Sequence, residues 1–195
     1  ASTGRIPGGR PFAYFWGARS LSLVGDYAFR VAFIAYIITE TNGSAVALAL
    51  ANGVLLVPAL VFYLVGGVVG DRASRRSIMI ISDVARAVVC LAATVAALAD
   101  APVWTVVVLA TALSIGDGFF GPASFAFMAE IVPSERLLGA NSALSVSQQV
   151  GLVVGPMLGG VLVGLQGPAV GFAFNAATFA LSTVLVMLIR HRRAA

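Results

Sequence analysis

Residues 137 to 189 read LLGANSALSVSQQVGLVVGPMLGGVLVGLQGPAVGFAFNAATFALSTVLVMLI, without a single Asp, Glu, Lys or Arg. The stretch holds two membrane spans of roughly 20 residues each, and Gln166-Gly167-Pro168 supplies the break between them. A second charge-free run lies between Glu40 and Asp71. Such runs are solvated by lipid, not by water. The whole chain agrees: 59% of its residues are hydrophobic and 10% charged, with a mean hydropathy of +0.99. Soluble domains carry about 25% charged residues, so a water-soluble fold is excluded.

Outward from that stretch, the apolar runs and their breaks predict helices near 12–38, 44–70, 77–99, 102–131, 138–165 and 168–190. The remaining breaks are Glu40-Thr41-Asn42-Gly43, Asp71 to Ser77, Asp100-Ala101-Pro102 and Pro133-Ser134-Glu135-Arg136. Each run must close its own backbone hydrogen bonds in hydrocarbon, so the spans are helices and the fold class is an all-α integral membrane protein. Residues 12–190 form the six-helix unit, 1–11 an N-terminal segment and 191–195 the start of a basic linker. The apolar stretch from Pro11 to Ile38 is too long for a signal-peptide core and reads as a retained first helix.

Lysine is absent, so arginines set the orientation. Arg5 and Arg10 precede helix 1, Arg72, Arg75 and Arg76 follow helix 2, Arg136 follows helix 4, and Arg190, Arg192 and Arg193 follow helix 6, while the opposite loops have none. The positive-inside rule places both termini in the cytoplasm of a cell bounded by this membrane. The net charge of +4 then records orientation, not nucleic-acid binding. His191 belongs to the terminal basic cluster, and Cys90 lies in an apolar run as a packing residue. There is no metal-ligand cluster, no base beside the cysteine and no phosphate-cradling loop after a strand. An enzyme, a cofactor and a metal are therefore not expected.

The chain also matches itself. Gly25-Asp26-Tyr27-Ala28-Phe29 in helix 1 is echoed by Gly116-Asp117-Gly118-Phe119-Phe120 in helix 4, with Ala32 and Ala35 matched by Ala123 and Ala126. Ser44-Ala45-Val46 and Pro58 in helix 2 align with Ser142-Ala143-Leu144 and Pro156 in helix 5. Three spans are an odd number, so the second copy enters from the other side. This predicts an inverted three-plus-three repeat, the architecture of secondary transporters.

Two motifs carry mechanism. Gly67-Val68-Val69-Gly70-Asp71-Arg72-Ala73-Ser74-Arg75-Arg76 joins helices 2 and 3. Gly67 and Gly70 permit close helix approach, Asp71 accepts hydrogen bonds, and Arg72, Arg75 and Arg76 hold the loop at the headgroups. A merely topogenic loop would explain the arginines but not the glycines and the aspartate. In helix 5, Gly151, Gly155, Pro156, Gly159 and Gly160 form G-x-x-x-G-P-x-x-G-G, which allows tight packing and a bend. Simple glycine packing and a gating role both account for it.

These motifs resemble the major facilitator superfamily loop signature and its antiporter-type helix 5 motif, so the chain looks like the N-terminal half of such a transporter. Asp83-Val84-Ala85-Arg86, Phe120-Gly121-Pro122-Ala123, Val132 to Leu137 and Ala140-Asn141 point to the macrolide-efflux and enterobactin-exporter-like branch. The resemblance implies alternating-access export of a small amphipathic molecule, coupled to an ion gradient with protons as the ion, and Asp71 closing a cytoplasmic gate. It departs at Ser74, where the family often has glycine, and in Leu109 to Ile115, where proton-coupled relatives often carry an arginine. A full member has twelve helices. The partners implied are the lipid bilayer, a small-molecule substrate, protons, and a C-terminal half or a second copy. A non-transporting membrane subunit is the competing class.

Within the spans, Arg19, Ser22, Asp26 and Arg30 form one stripe on helix 1, with Asp26 and Arg30 spaced for an ion pair. Asp83 and Arg86 are spaced to pair on helix 3. Asp117 has no basic residue within a turn of its own helix, which makes it the preferred proton-coupling residue, with Asp26 second. Asn141, Ser145, Gln148 and Gln149 form a polar stripe on helix 5 suited to lining a cavity or bonding a neighbouring helix.

Overall fold

A computed structural model describes residues 7–70 and 74–189, with the backbone alone for 66–70. Asp71, Arg72 and His191 lie outside the described residues, as do the surroundings of Gly67 and Gly70. Six long apolar helices make up the described chain: α1 Gly9–Glu40, α2 Ala45–Gly70, α3 Arg75–Leu98, α4 Val103–Ile131, α5 Leu137–Gln166 and α6 Pro168–Leu188. All six have a membrane-spanning apolar window, and no strand occurs among the described residues. The chain is a multi-pass membrane protein.

Local chemistry sets the connections. Asn42 and Gly43 take positive φ between α1 and α2, and Asp100 does so between α3 and α4. Ser74 caps α3 by accepting from the Ser77 amide at 3.4 Å. Gly167, at φ 83°, turns the chain into Pro168, the first residue of α6, where a missing amide hydrogen costs nothing.

The extensive helix contacts are α1 with α5 and α6, α4 with α2 and α3, and α3 with α6. Exchanging α1 with α4, α2 with α5 and α3 with α6 turns that set into itself. The packing is the inverted repeat that the sequence self-match predicts, with α3 and α6 meeting on the pseudo-two-fold axis. Close approach comes from glycines. A Cβ on Gly155 would lie 2.5 Å from Tyr27 Cβ and one on Gly159 would lie 2.8 Å from Ala28 O, so α5 presses its backbone onto α1. Gly118 does the same for α4 against α2, 2.7 Å from the Phe62 carbonyl carbon. Gly160 meets nothing within 4 Å, so the helix 5 motif divides into a packing face and an open one.

Two apolar clusters fill the bundle. One includes Phe12, Phe15, Ile78, Met79, Phe127 and Val186. The other includes Phe33, Tyr36, Ala93, Val106, Val107 and Phe172. Along α1, α3 and α4 the two clusters are separated by a polar layer at Ser22 to Asp26, Ser82 to Arg86, and Asp117. This layer holds the candidate site.

Candidate functional site

On α1, Gly25 decides what Asp26 can reach. A Cβ at Gly25 would overlap Thr178 Oγ1 and Asn175 Oδ1, so only glycine lets α1 approach α6 this closely. That approach sets Asp26 beside Asn175, whose Nδ2 donates to Asp26 Oδ1 at 3.4 Å, a long bond. The same amide donates weakly to Cys90 Sγ at 3.7 Å. Thr178 Oγ1 lies 3.0 Å from Asn175 Oδ1, turning the amide's nitrogen toward Asp26.

On α4, Gly116 plays the equivalent part, because a Cβ there would meet Arg86 Cγ at 2.6 Å. Arg86 pairs through Nη1 with Asp117 and through Nη2 with Asp83. Asp83 Oδ2 also accepts from Ser182 Oγ at 2.6 Å. The guanidinium lies between the rings of Phe120 and Phe179, 4.4 and 4.2 Å from their centroids. A cation held over two aromatic rings in this way is a contact that arginine makes more often than lysine.

Asp26 and Asp117 share a groove bounded by α1, α2 and α4. One lobe, about 320 Å³, includes Arg30, Phe33, Asn52 and Leu55. The other, about 310 Å³, includes Arg19, Leu23, Tyr63 and Phe125. Asp26, Tyr27, Ala59, Ser114 and Asp117 border both lobes, so the two carboxylates stand at the waist. Asp117 keeps 48% of its side chain accessible there, while Asp83 is fully enclosed. Charged groups of both signs face a common opening, with apolar walls around them. That arrangement offers an amphipathic molecule both hydrocarbon and charge.

Several expectations change. Asp117 is not without a cation, because Arg86 reaches it from α3, a neighbour that spacing along α4 does not reveal. Asp26 and Arg30 do not come within ion-pair distance of 4.0 Å; Arg30 is exposed and Asp26 is met by Asn175 instead. The helix 1 stripe divides, since Ser22 turns into the bundle, where its Oγ is buried without a hydrogen-bond partner, while Arg19, Asp26 and Arg30 border the groove. On α5, Asn141, Ser145, Gln148 and Gln149 are exposed and border neither lobe. Ser147, among them, faces inward and accepts from Trp16 Nε1 at 2.6 Å and Ser20 Oγ at 2.8 Å. At the start of α3, Arg75 pairs with Glu130 at 3.0 Å, and Arg76 donates to the carbonyls of Val186 and Met187.

Asn175, Thr178 and Ser182 were not singled out by sequence reasoning, yet a signal for them exists. Asp83-x-x-Arg86-x-x-x-Cys90 on α3 has the spacing of Asn175-x-x-Thr178-x-x-x-Ser182 on α6. The contacts obey the same relation: Asp83 bonds Ser182, and Asn175 bonds Cys90, each being the other's image across the axis.

A model of the Major Facilitator Superfamily matches residues 15–195. The chain belongs to that superfamily. Within it, the chain is 28% identical over 180 residues to macrolide efflux protein A of Streptococcus pyogenes, covering 92% of this chain and 44% of that protein. It is 29% identical over 164 residues to the multidrug efflux pump Tap of Mycolicibacterium fortuitum, covering 80% of this chain and 39% of the relative. The methylenomycin A resistance protein of Bacillus subtilis is 26% identical over 186 residues, with 91% and 36% covered. The chain thus spans less than half the length of these superfamily relatives. The six helices have the architecture of half a superfamily fold.

Proposed function

We propose that this chain is one half of a secondary active exporter that moves a small amphipathic molecule by alternating access, driven by a proton gradient. In this reading it lies in a bacterial plasma membrane with both termini cytoplasmic, and a second six-helix unit completes the central cavity. Efflux among its relatives supports the direction of transport, and the mixed apolar and charged groove supports the substrate class. The sequence from Gly67 to Arg76 would supply the cytoplasmic gate, a reading supported by Arg75 and Arg76, which tie the start of α3 to α4 and α6.

One observation carries the coupling: the repeat places two carboxylates in one groove but gives a bound cation to only one. Protonating Asp117 would leave Arg86 with Asp83 alone, in a buried setting where a missing counter-charge is expensive. Protonating Asp26 strands no bound guanidinium. Asp26 is therefore the proton carrier, and Asp117 holds Arg86 in place. The charged and titratable groups around Asp26 are Arg19 and Arg30 of α1, Tyr63 of α2, Arg86 and Cys90 of α3 and Asp117 of α4, with Asn175 of α6 bonded to it; Arg86 acts on it through space but bonds Asp83 and Asp117. A proton taken up from the acidic side while that side is open, and released on the other, drives the return of the empty or loaded cavity.

The test is dye or drug flux in proteoliposomes holding this chain with a complementary six-helix half. Flux should rise with an imposed pH gradient, and Asp26→Asn should transport without that dependence while inserting normally. Gradient-driven flux of wild-type size in Asp26→Asn would remove Asp26 from the mechanism. Stable insertion without flux for any substrate would favour a non-transporting subunit.

A further inference from the structure

A second hollow lies between α3 and α4 and shares no lining residue with the carboxylate groove. Ile81, Ala85 and Val89 of α3 and Ala112 and Ile115 of α4 border it, Arg86 and Gly116 form part of its wall, and its volume is about 630 Å³. Small residues at Ala85, Ala112 and Gly116 leave the space that larger side chains would fill. Ile81 at the rim is 68% exposed. The extensive neighbours of α3 are α4 and α6, and those of α4 are α2 and α3, so no further described helix roofs the opening. In a membrane protein it therefore opens toward hydrocarbon.

We infer that this hollow is a binding site for one acyl chain of a bilayer lipid. Its α3 wall runs from Ile78 to Val89, about 17 Å at the helical rise of about 1.5 Å per residue. One leaflet of a bilayer's hydrocarbon is about 15 Å deep, so the length suits a single chain. Arg75 lies on the same α3 face, three and seven residues before Ile78 and Ser82, and pairs with Glu130, so polar groups stand beyond the Ile78 end of the wall. Apart from Ser82 and Arg86 the lining is apolar, which excludes a strongly polar ligand.

The occupant matters because of what stands behind it. Gly116 borders the hollow and the adjacent Asp117 borders the carboxylate groove, so Arg86 forms part of the partition between the two. Arg86 Nε is buried without a hydrogen-bond partner. Water filling the hollow would compete with Asp83 and Asp117 for the guanidinium, whereas a hydrocarbon chain excludes it and keeps the local dielectric low. A bound chain thus holds the charged arm of the polar layer together.

The experiment uses this chain in nanodiscs made with a phospholipid that carries a diazirine midway along one acyl chain. After irradiation, adducts mapped by mass spectrometry should fall several-fold more often on Ile81, Ala85 and the half-buried Ile115 than on Val153 and Met157 of α5, which are about as exposed as Ile81. Ala85→Phe should lower labelling of Ile115 several-fold without altering that of Met157, and Ala112→Leu gives the same readout if the first variant does not fold. Equal labelling of the hollow and α5, or labelling of the hollow that neither variant lowers, would overturn the site. Loss of labelling at the hollow alone on adding tetraphenylphosphonium would assign it to a small amphiphile instead and overturn the lipid. No arm requires transport, so the outcome is independent of the proposed coupling.

Discussion

On α3, Asp83, Arg86 and Cys90 occupy the places that Asn175, Thr178 and Ser182 occupy on α6, and both sets are buried at the axis that relates the two repeats. Their geometry is shared and their charge is not. The α3 set meets α4 at Gly116 and clamps Asp117 with a guanidinium. The α6 set meets α1 at Gly25 and offers Asp26 an amide. The repeat supplies two equivalent acidic positions, and the residues around them give each a different partner. One carboxylate is committed to an ion pair, and the other is met by a neutral amide.

The comparison breaks most readily at Arg86. Arg86→Met leaves the enclosed Asp83 with Ser182 as its only hydrogen-bond partner, and should cost about 3–5 kcal/mol. Its image, Thr178→Val, removes a neutral hydroxyl and should cost about 1 kcal/mol. Thermal unfolding of the two variants in detergent checks the pair, and equal losses would show that charge does not distinguish the arms.

The two glycines sharpen it next. Gly25→Ala drives a methyl into Thr178 Oγ1 and Asn175 Oδ1, a deeper overlap than that of Gly116→Ala, whose methyl would meet Arg86 Cγ at 2.6 Å. Overpacking costs about 1–3 kcal/mol, with Gly25→Ala at the upper end and Gly116→Ala at the lower, read in the same assay. A reversed order would mean that the charged arm is the more rigid one. The smallest effect belongs to Cys90→Ser, which copies Ser182 onto α3. It exchanges a weak sulfur acceptor for a hydroxyl facing Asn175, so melting should change by an amount equivalent to about 1 kcal/mol or less.

Much of this fold was legible because a bilayer simplifies the chemistry. Charge-free runs such as Leu137 to Ile189 have one stable solution in hydrocarbon, and the echo of Gly25-Asp26 in Gly116-Asp117 marks the repeat without any knowledge of packing. The site was legible only in part. Spacing along one helix pairs Asp26 with Arg30 and leaves Asp117 alone, but a helix places most of a side chain's neighbours on other helices. Arg86 and Asn175 are such neighbours, far from their partners in sequence. The α3 and α6 match was present in the residues, yet it exchanges Asp for Asn, Arg for Thr and Cys for Ser, so similarity of residue type hides it.

What the amino-acid sequence determined by itself was the number of spans, their helical state and the inverted repeat, since each follows from hydrophobicity and from backbone groups that must bond within their own segment. What only the tertiary structure decided was which charge answers which. An ion pair depends on distances of a few ångströms between separate helices, and those distances are set by how closely Gly25 and Gly116 let the backbones approach.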